Sequence, residues 1–354
     1  MTDAASTGSH ALGAAAAAPA DIAAAAAALE AGALVAFPTE TVYGLGADAE
    51  NPAAVAKIYA AKGRPQDHPV IVHVAPGADL DYWTTEVPDA ARVLASHFWP
   101  GPLTLILKRN AHIPDAVSGG QDTVGIRCPS HPVAMQLLQA FKGGQGGVAA
   151  PSANKFGNVS PTTAQHVRDE FHDEVGPGNV IDSVLDGGSS QVGIESTILD
   201  MSRLATHGPV LLRPGHISAQ QIADVIGTMP RQPDQAAPRA SGTLESHYAP
   251  KAPVALLPTG DIEKTLAELR LRGRSAALIH YTPFVLSQPN VTLPAEPKGY
   301  AYGVYAALRA MDQQQVELIL VEAPPTDDAW LGVNDRLRRA AFGSTGIIER
   351  FLKS

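Results

Sequence analysis

Several short polar segments each follow an apolar run that is long enough to form a strand or a helix. They cover residues 38–44, 62–65, 127–129, 151–154 and 212–215. Loops in these positions bind the ligands of α/β folds. If the segments converge, three arginines and one lysine would surround one cavity, together with the hydroxyl groups of Thr41, Thr123, Ser152, Ser160 and Ser196. Such a cavity would suit a polyanion that also carries hydroxyl and carboxylate groups. The alternative is that each basic residue is a solvated charge in a turn.

The common signatures of nucleotide and hydrolase sites do not account for these segments. Residues 44–49 match the dinucleotide pattern G-x-G-x-x-A, but six residues separate them from the preceding predicted strand, whereas a dinucleotide-binding turn follows its strand directly. The sequence contains no Walker A motif, no G-x-S-x-G and no H-E-x-x-H. We interpret His68 and His73 as polar or half-buried residues rather than metal ligands, and Cys128 as a small buried apolar residue.

Apolar runs that alternate with helical segments predict an α/β fold. The predicted strands of the first part cover residues 33–37, 70–74, 103–108, 123–127, 148–150, 196–200 and 210–212, and the predicted helices 20–31, 52–61, 88–97, 132–141, 162–171 and 218–226. Because many extended segments are not separated by helices, we expect a mixed twisted sheet with flanking helices. The later strands 254–257, 276–280 and 316–321 and helices 262–271, 300–311 and 328–342 predict a smaller, Rossmann-like α/β domain.

These patterns divide the chain into four parts. We expect a disordered alanine-rich tail over residues 1–18, a first α/β domain over 19–227, a proline-bearing linker over 228–252 and a small α/β domain over 253–354. The first 56 residues contain no Lys or Arg, so neither a secretory signal nor a transit peptide is predicted. Pro19 and Asp21 interrupt the alanine run, which therefore does not predict a membrane span.

Composition limits the classes of function. With 26 basic and 35 acidic residues the formal net charge is −9, which argues against a surface built to bind nucleic-acid phosphates. A single cysteine excludes an intramolecular disulfide and a multi-cysteine metal site, and it fits a reducing compartment, for which the cytoplasm is the default expectation.

Six longer motifs give a more specific indication. In chain order they are F-P-T-E-T-V-Y-G-L-G, K-G-R-P-x-x-x-P-V-I-V-H, F-W-P-G-P-L-T-L-I-L, V-G-I-R-C-P, A-P-S-A-N and E-S-T-I-L. Together they resemble the threonylcarbamoyl-AMP synthase family, the YrdC-like enzymes, over residues 32–226. The motif S-H-Y-A-P-K-A-P at residues 246–253 and the domain after it resemble the two-domain form of that family.

The resemblance implies a nucleotidyltransferase, an L-threonylcarbamoyladenylate synthase. Such an enzyme makes threonylcarbamoyl-AMP and pyrophosphate from L-threonine, bicarbonate and ATP. The product serves threonylcarbamoyladenosine modification of tRNA position 37, so separate threonylcarbamoyl-transfer proteins are the expected partners, and a weak contact with tRNA is a further expectation. Mg²⁺ is expected to accompany ATP, and no residue is assigned as its ligand.

The resemblance also implies roles for individual residues. It implies a catalytic tetrad of Lys62, Arg64, Ser152 and Asn154. It implies ATP contacts from Arg64, His68, Thr123, Ser152, Ser160, Arg213 and Tyr248, and threonine contacts from Thr41, His73, Arg127, Ala150 and Ser196. Whether Thr39 or Thr41 contacts threonine stays open.

The chemistry of the residue types agrees with these roles. Lysine and arginine offset the triphosphate charge best in a dry, preorganised cavity. The fork of Arg127 suits a bidentate contact with a carboxylate, which a lysine does not reproduce. Ser196 and Thr41 are candidates to pair with the threonine hydroxyl, and such partners reject an analogue that lacks it.

Two alternatives concern the whole protein and its linker. The first is a double-stranded RNA or tRNA-binding module without turnover, against which the acidic balance and the 5% aromatic content argue. For the linker, we expect His247 and Tyr248 to fold over the nucleotide as a lid that excludes water, and the alternative is a passive tether. A carbamoyl-transfer domain of the hydrogenase-maturation type would need zinc-binding cysteine clusters, which one cysteine cannot build.

Overall fold

Short apolar segments form a large mixed sheet in the first two thirds of the chain. The computed structural model describes residues 17–245 and 247–353. Apart from residues 17 and 18, the predicted tail lies outside them. The strands are β1 (Val35–Phe37), β2 (Gly44–Asp48), β3 (Ile71–Val74), β4 (Thr84–Glu86), β5 (Leu103–Arg109), β6 (Thr123–Arg127), β7 (Gly147–Ala149), β8 (Ser183–Val184), β9 (Thr197–Asp200) and β10 (Val210–Arg213). Their order is β10-β9-β5-β6-β3-β7-β2-β1-β8, and β4 pairs with β5.

Helices flank this sheet. They are α1 (Pro19–Glu30), α2 (Pro52–Lys62), α3 (Leu80–Trp83), α4 (Asp89–Phe98), α5 (Asp115–Ser118), α6 (Pro132–Ala140), α7 (Ala164–Phe171), α8 (Leu204–His207) and α9 (Ala219–Ile226), with 3-10 turns at Phe141–Gly144 and His172–Glu174. Pairings of both directions occur, for example parallel β3 with β6 and antiparallel β5 with β6. The predicted mixed sheet is therefore confirmed.

One strand contradicts the sequence prediction. No strand is predicted over residues 44–49, but Gly44–Asp48 is β2, which pairs with β1 on one side and β7 on the other. A Cβ at Gly46 would approach side-chain atoms of Phe37 and Val148 to 2.8 Å. The glycine is therefore needed for strand packing, and the match to the dinucleotide pattern is coincidental. The short strands β4, β8 and, in the second domain, Asn290–Thr292 were also not predicted.

One face of the sheet carries the residues that matter for the site. Side chains alternate along a strand, so Ile71 and His73 of β3 share a face, and their partners in β6 are Gly125 and Arg127. Beside them an apolar patch consists of Ile71, Ile106, Ile198, Val210 and Leu212. Ala237 and Ala240 pack on that patch. The segment after α9 therefore covers part of this face.

The second domain has a parallel sheet of its own. Its strands are β11 (Val254–Leu257), β12 (Ala276–His280), β13 (Asn290–Thr292) and β14 (Leu318–Glu322), in the order β11-β14-β12-β13. Its helices are α10 (Ile262–Leu271), α11 (Pro297–Asp312), α12 (Leu331–Ala340) and α13 (Ile347–Lys353), with 3-10 turns at Thr259–Asp261, Asp328–Trp330 and Phe342–Ser344. The predicted helix 328–342 is thus a 3-10 turn followed by α12.

The two domains share a hydrophobic core. Val42, Val159 and Ile194 of the first domain cluster with Tyr305 and Leu337 of the second. Among the described residues between α9 and β11 there is no helix or strand longer than an isolated bridge. None of the helices that the structure describes is long and apolar enough to cross a bilayer.

Candidate functional site

The polar segments meet in one buried cavity on the covered face of the sheet. The cavity is lined by Thr39, Thr41, Val42, Gly44, Arg64, Ile71, His73, Arg127, Ala150, Pro151, Ser152, Glu195, Ser196, Arg213, Ser241, Gly242, His247 and Tyr248. Three of these residues are arginines and one is a glutamate. Its volume is about 40 Å³, whereas pockets for small molecules are roughly 300–1,000 Å³. The linker closes it.

The loop after β1 brings two threonines to the wall. The Thr39 hydroxyl donates to the Val42 carbonyl (2.6 Å) and accepts from the Val42 amide (3.2 Å), which fixes a tight turn. The Thr39 and Thr41 hydroxyls lie 2.8 Å apart. Both threonines line the cavity, so the geometry leaves open which of them would contact an amino acid.

Arg127 ends β6 and is held from three sides. It donates to the Thr41 hydroxyl (2.9 Å) and to the Gly101 carbonyl (3.3 Å). Its third contact is with Glu40 at 2.6 Å, and both side chains are buried. The angles at this contact do not make a well-directed hydrogen bond, so it is a close ion pair. Each terminal nitrogen of Arg127 retains an N–H for a ligand.

Arg213 ends β10 and is bound to the segment that carries Ser196. Its Nε and one terminal nitrogen donate to the Ser196 carbonyl (3.0 and 2.9 Å), and the same terminal nitrogen donates to the Ser196 hydroxyl (3.1 Å). The Ser196 and Thr104 hydroxyls are 2.7 Å apart. The other terminal nitrogen donates to the carbonyl of Ser241 in the linker (2.8 Å). Burial lowers the pKa of Arg213.

The end of α2 places Lys62 and Arg64. The helix ends at Gly63, whose φ of +63° is the left-handed conformation that glycine adopts readily. Arg64 lines the cavity and donates to the Ser241 hydroxyl at 3.4 Å. Lys62 lies behind the wall, where it donates to the carbonyls of Ser152 (2.6 Å) and Asn154. Burial, and then the charge of Arg64, hold the pKa of Lys62 well below its usual range.

Two buried histidines line the cavity. The Nδ1 atoms of His73 and His247 have no hydrogen-bond partner among the residues that the structure describes. Burial lowers the pKa of each to about 3, and for His73 the charge of Arg127 acts in the same direction. Both imidazoles are therefore neutral at pH 7, and His73 is a buried polar residue, as the sequence predicted.

Sequence reasoning did not single out Glu195, which lines the cavity next to Ser196. Its carboxylate accepts from the Ser160 hydroxyl (2.5 Å), from the Tyr305 hydroxyl (2.9 Å) and from Arg336 (2.8 Å). Burial opposes its charge, but Arg336 and Arg213 outweigh burial and hold the pKa of Glu195 below its usual value. Glu195 stands in the motif E-S-T-I-L, which was the available signal.

Five predicted residues do not line the cavity. They are Lys62, His68, Thr123, Asn154 and Ser160. Asn154 is buried and donates to two carbonyls in its own loop. Thr123 pairs with Lys108 at the start of β6, and the His68 ring is 5.6 Å from that of Phe156. The remaining predicted residues come together on its wall: Thr41, Arg64, His73, Arg127, Ala150, Ser152, Ser196, Arg213 and Tyr248.

The wall offers cationic and hydroxyl donors in a site shielded from water. Arg64 and Arg213 both contact Ser241, so a polyanion between them would replace the oxygens of that serine. Within residues 17–245 and 247–353, no three His, Cys, Asp or Glu side chains lie close enough together to hold a metal ion. The two acids at the site, Glu40 and Glu195, are already paired with arginines. The residues present therefore do not form a metal site.

Comparison with known families gives matches over nearly the whole chain. The family model Sua5_yciO_yrdC, described as telomere recombination, matches residues 27–215. The model Sua5_C, described as the C-terminal domain of threonylcarbamoyl-AMP synthase, matches residues 217–342.

Individual relatives are similar over both domains. The threonylcarbamoyl-AMP synthase of Bacillus subtilis is 41% identical over 91% of this chain and 93% of its own length. That of Pyrococcus abyssi is 38% identical over 88% of this chain and 91% of its own length. The crystal structure of P. abyssi Sua5 complexed with L-threonine superposes with a TM-score of 0.82 at 36% identity, covering 92% of this chain and 95% of that one.

Proposed function

This chain belongs to the threonylcarbamoyl-AMP synthase family, and we propose that its cavity joins L-threonine, bicarbonate and ATP into threonylcarbamoyl-AMP with release of pyrophosphate. The reaction is a nucleotidyl transfer. We assign it to residues 19–227, with residues 228–252 as the lid and residues 253–354 as the second domain. The observation that carries the proposal is the convergence of Arg64, Arg127 and Arg213 on one buried cavity.

The arginines suggest where each substrate binds. Arg64 and Arg213 lie together at the linker and would hold the phosphates of ATP. Arg127 retains N–H groups beside the hydroxyls of Thr39 and Thr41, which suits an amino acid with a carboxylate and a hydroxyl. L-Threonine is bound in the similar P. abyssi structure. The polar wall thus separates into a nucleotide end and an amino-acid end.

The chemistry requires two anions to meet. Threonine and bicarbonate combine into an N-carboxylated threonine with loss of water, and one oxygen of its carbamate attacks the α-phosphorus of ATP. A new P–O bond forms while the bond to the β-phosphate oxygen breaks, and pyrophosphate leaves. The residues need not supply a nucleophile. Their contribution is to align the two substrates and to offset the charge that accumulates on the phosphate oxygens.

Lys62 would act from behind the wall. Its amino group donates to the carbonyls of Ser152 and Asn154, and so it would fix the loop that brings Ser152 and Ala150 to the cavity. A magnesium ion would reach the site on the triphosphate oxygens of ATP. No step proposed here depends on a side-chain ligand for it.

We propose that the linker is a lid that ATP displaces. The oxygens of Ser241 occupy the position between Arg64 and Arg213 that phosphate oxygens would take. Tyr248 is buried and has a φ of +61°, a strained conformation for an aromatic residue that the surrounding contacts must hold. The closed cavity is too small to hold ATP together with L-threonine. The lid must therefore open to admit ATP and close again to exclude water.

The test is a pyrophosphate-release assay with the purified full chain. We expect release only when ATP, L-threonine and bicarbonate are all present, together with a product whose mass corresponds to threonylcarbamoyl-AMP. Arg213→Met should reduce the rate by at least a hundredfold, because it removes a buried charge-assisted contact to the phosphates. Threonine-independent release, or salt-dependent tRNA binding without any release, would contradict the proposal.

A further inference from the structure

The second domain reaches the wall of the cavity through Glu195. This carboxylate is buried between the domains, and of its side-chain partners within the described part of the chain one, Ser160, comes from the first domain. The other two, Tyr305 of α11 and Arg336 of α12, come from the second domain. The carboxylate at the cavity wall is therefore held mainly by the neighbouring domain.

Arg336 contacts two segments of the first domain at once. It donates from Nε to the Glu195 carboxylate (2.8 Å), from one terminal nitrogen to the Glu195 carbonyl (3.1 Å) and from the other to the Pro214 carbonyl (2.7 Å). Its side chain is fully buried. The two segments that it joins are those that precede Ser196 and follow Arg213.

Apolar contacts join the two domains in addition to the ion pair. Apolar residues of α12, among them Val333 and Leu337, already pack into the shared core. A buried ion pair seldom stabilises a protein more than apolar residues of similar size, because both charges must leave water. Arg336 is nevertheless buried, and it donates to two backbone carbonyls beside the cavity. Its position therefore indicates a role in the geometry of the site.

We propose that Arg336 is a positioning residue of the second domain that acts through Glu195 and Pro214 to fix Arg213 against Ser196. Arg213 donates to the Ser196 carbonyl with two nitrogens, so any shift between the two segments would move its guanidinium away from the phosphates. The guanidinium carbon of Arg336 also lies 5.6 Å from the centre of the Tyr248 ring, which places the same residue under the lid. The inference rests on the proposed function for the identity of the ligand.

The experiment compares three full-length variants with the wild type. Arg336→Met removes the contact. Glu195→Gln combined with Arg336→Met removes both charges of this pair, while Asp335, the second acid that contacts Arg336, keeps its ion pairs with Arg338 and Arg339. Arg338→Met is the matched control, because Arg338 lies on the same helix, is 57% exposed and pairs with Asp335 rather than with Glu195. The measurements are the melting temperature, the KM for ATP and kcat in pyrophosphate release, and the Kd for ATP from titration calorimetry.

We expect Arg336→Met to raise the KM and the Kd for ATP at least tenfold and to lower the melting temperature. The double variant should recover melting temperature but keep the raised KM and Kd, since Arg213 is still not fixed. Arg338→Met should stay within twofold of the wild type in all values.

A double variant that recovers both stability and the wild-type KM would overturn the inference, because Arg336 would then serve folding alone. If Arg336→Met does not fold, the double variant decides. If the wild type itself shows no threonine-dependent turnover, the proposed function fails. In that case the Kd for ATP alone tests the positioning role of Arg336. A double variant that binds ATP as tightly as Arg338→Met does would refute that role.

Discussion

The buried pair of Glu40 and Arg127 allows a quantitative test of the amino-acid end of the site. Glu40→Gln keeps the shape of the side chain and removes its charge. Arg127 then retains the Gly101 carbonyl and the Thr41 hydroxyl but loses the one anion beside it, at 2.6 Å. Breaking a buried ion pair by removing one partner costs about 3–5 kcal/mol. Because this contact is poorly directed as a hydrogen bond, we expect a loss near the lower end, about 3 kcal/mol.

The assay is a double-mutant cycle in urea unfolding. Arg127→Met leaves Glu40 unpaired and should cost a similar amount, while the combination of both substitutions should cost about 2 kcal/mol less than their sum. The matched control is Asp81→Asn, which breaks the exposed pair of Asp81 and Arg92 at 2.7 Å, 59% and 48% exposed, and should cost less than about 1 kcal/mol.

Two results would refute this reasoning. One is a loss below about 1 kcal/mol for Glu40→Gln, which would mean that water or another group compensates the arginine. The other is strict additivity of the two substitutions, which would mean that the residues do not interact in the native state.

The remaining predictions concern pH, the lid and specificity. His73 and His247 have pKa values of about 3 in the folded chain and about 6.5 when unfolded, so the unfolded state binds more protons below pH 6.5. The contribution of each histidine to the free energy of unfolding is thus fully present above pH 6.5 and falls as the pH drops toward 3, by roughly 2 kcal/mol per histidine at pH 5. In urea titrations His73→Gln should lose less of its free energy of unfolding at acid pH than the wild type. Gly242→Ala should loosen the lid and lower kcat/KM about tenfold, because φ is +72° and its Cβ would lie 2.0 Å from the Tyr248 hydroxyl. Ser196→Ala should reduce the preference for threonine over 2-aminobutyrate, which lacks the hydroxyl, by about tenfold, the value of one hydrogen bond.

Each of these predictions has a control or an outcome that contradicts it. If the free energy of unfolding falls equally with pH in the wild type and in His73→Gln, this histidine is not a buried neutral group. Gly260→Ala, at a glycine with open space around it, should leave kcat/KM unchanged, and an equal effect of both alanines would exclude the lid. An unchanged preference in Ser196→Ala would place the threonine hydroxyl elsewhere.

Local pattern was sufficient for most elements but not for β2. Strands such as Thr123–Arg127 and helices such as α10 agree with the sequence prediction, because their apolar periodicity and end signals are local. In Gly44–Asp48, glycine and aspartate have low strand propensity. The strand exists because β1 and β7 pair with it on both sides, and this tertiary pairing is invisible in a short window of sequence.

The site was predictable in part for the same reason. Motifs and polar segments identified most of the residues that the first domain contributes, including Arg64, Arg127 and Arg213, but not Glu195. They did not identify Ser241, whose oxygens meet two of these arginines only because the linker folds back. Nor did they identify Arg336, which lies more than a hundred residues further along the chain than Arg213 and acts from another domain.

The alanines that pack on the apolar patch contribute to the free energy that keeps the linker closed over the sheet. Ala237 and Ala240 each bring one methyl group to this patch, and a fully buried methyl contributes about 0.8 kcal/mol. Both alanines are only partly buried, so together they stabilise the closed linker by about 1 kcal/mol, which shifts its equilibrium about fivefold. Bulkier side chains at these two places would stabilise the linker position in which Ser241 lies between Arg64 and Arg213, so ATP would displace it less easily; the small residues thus favour nucleotide entry.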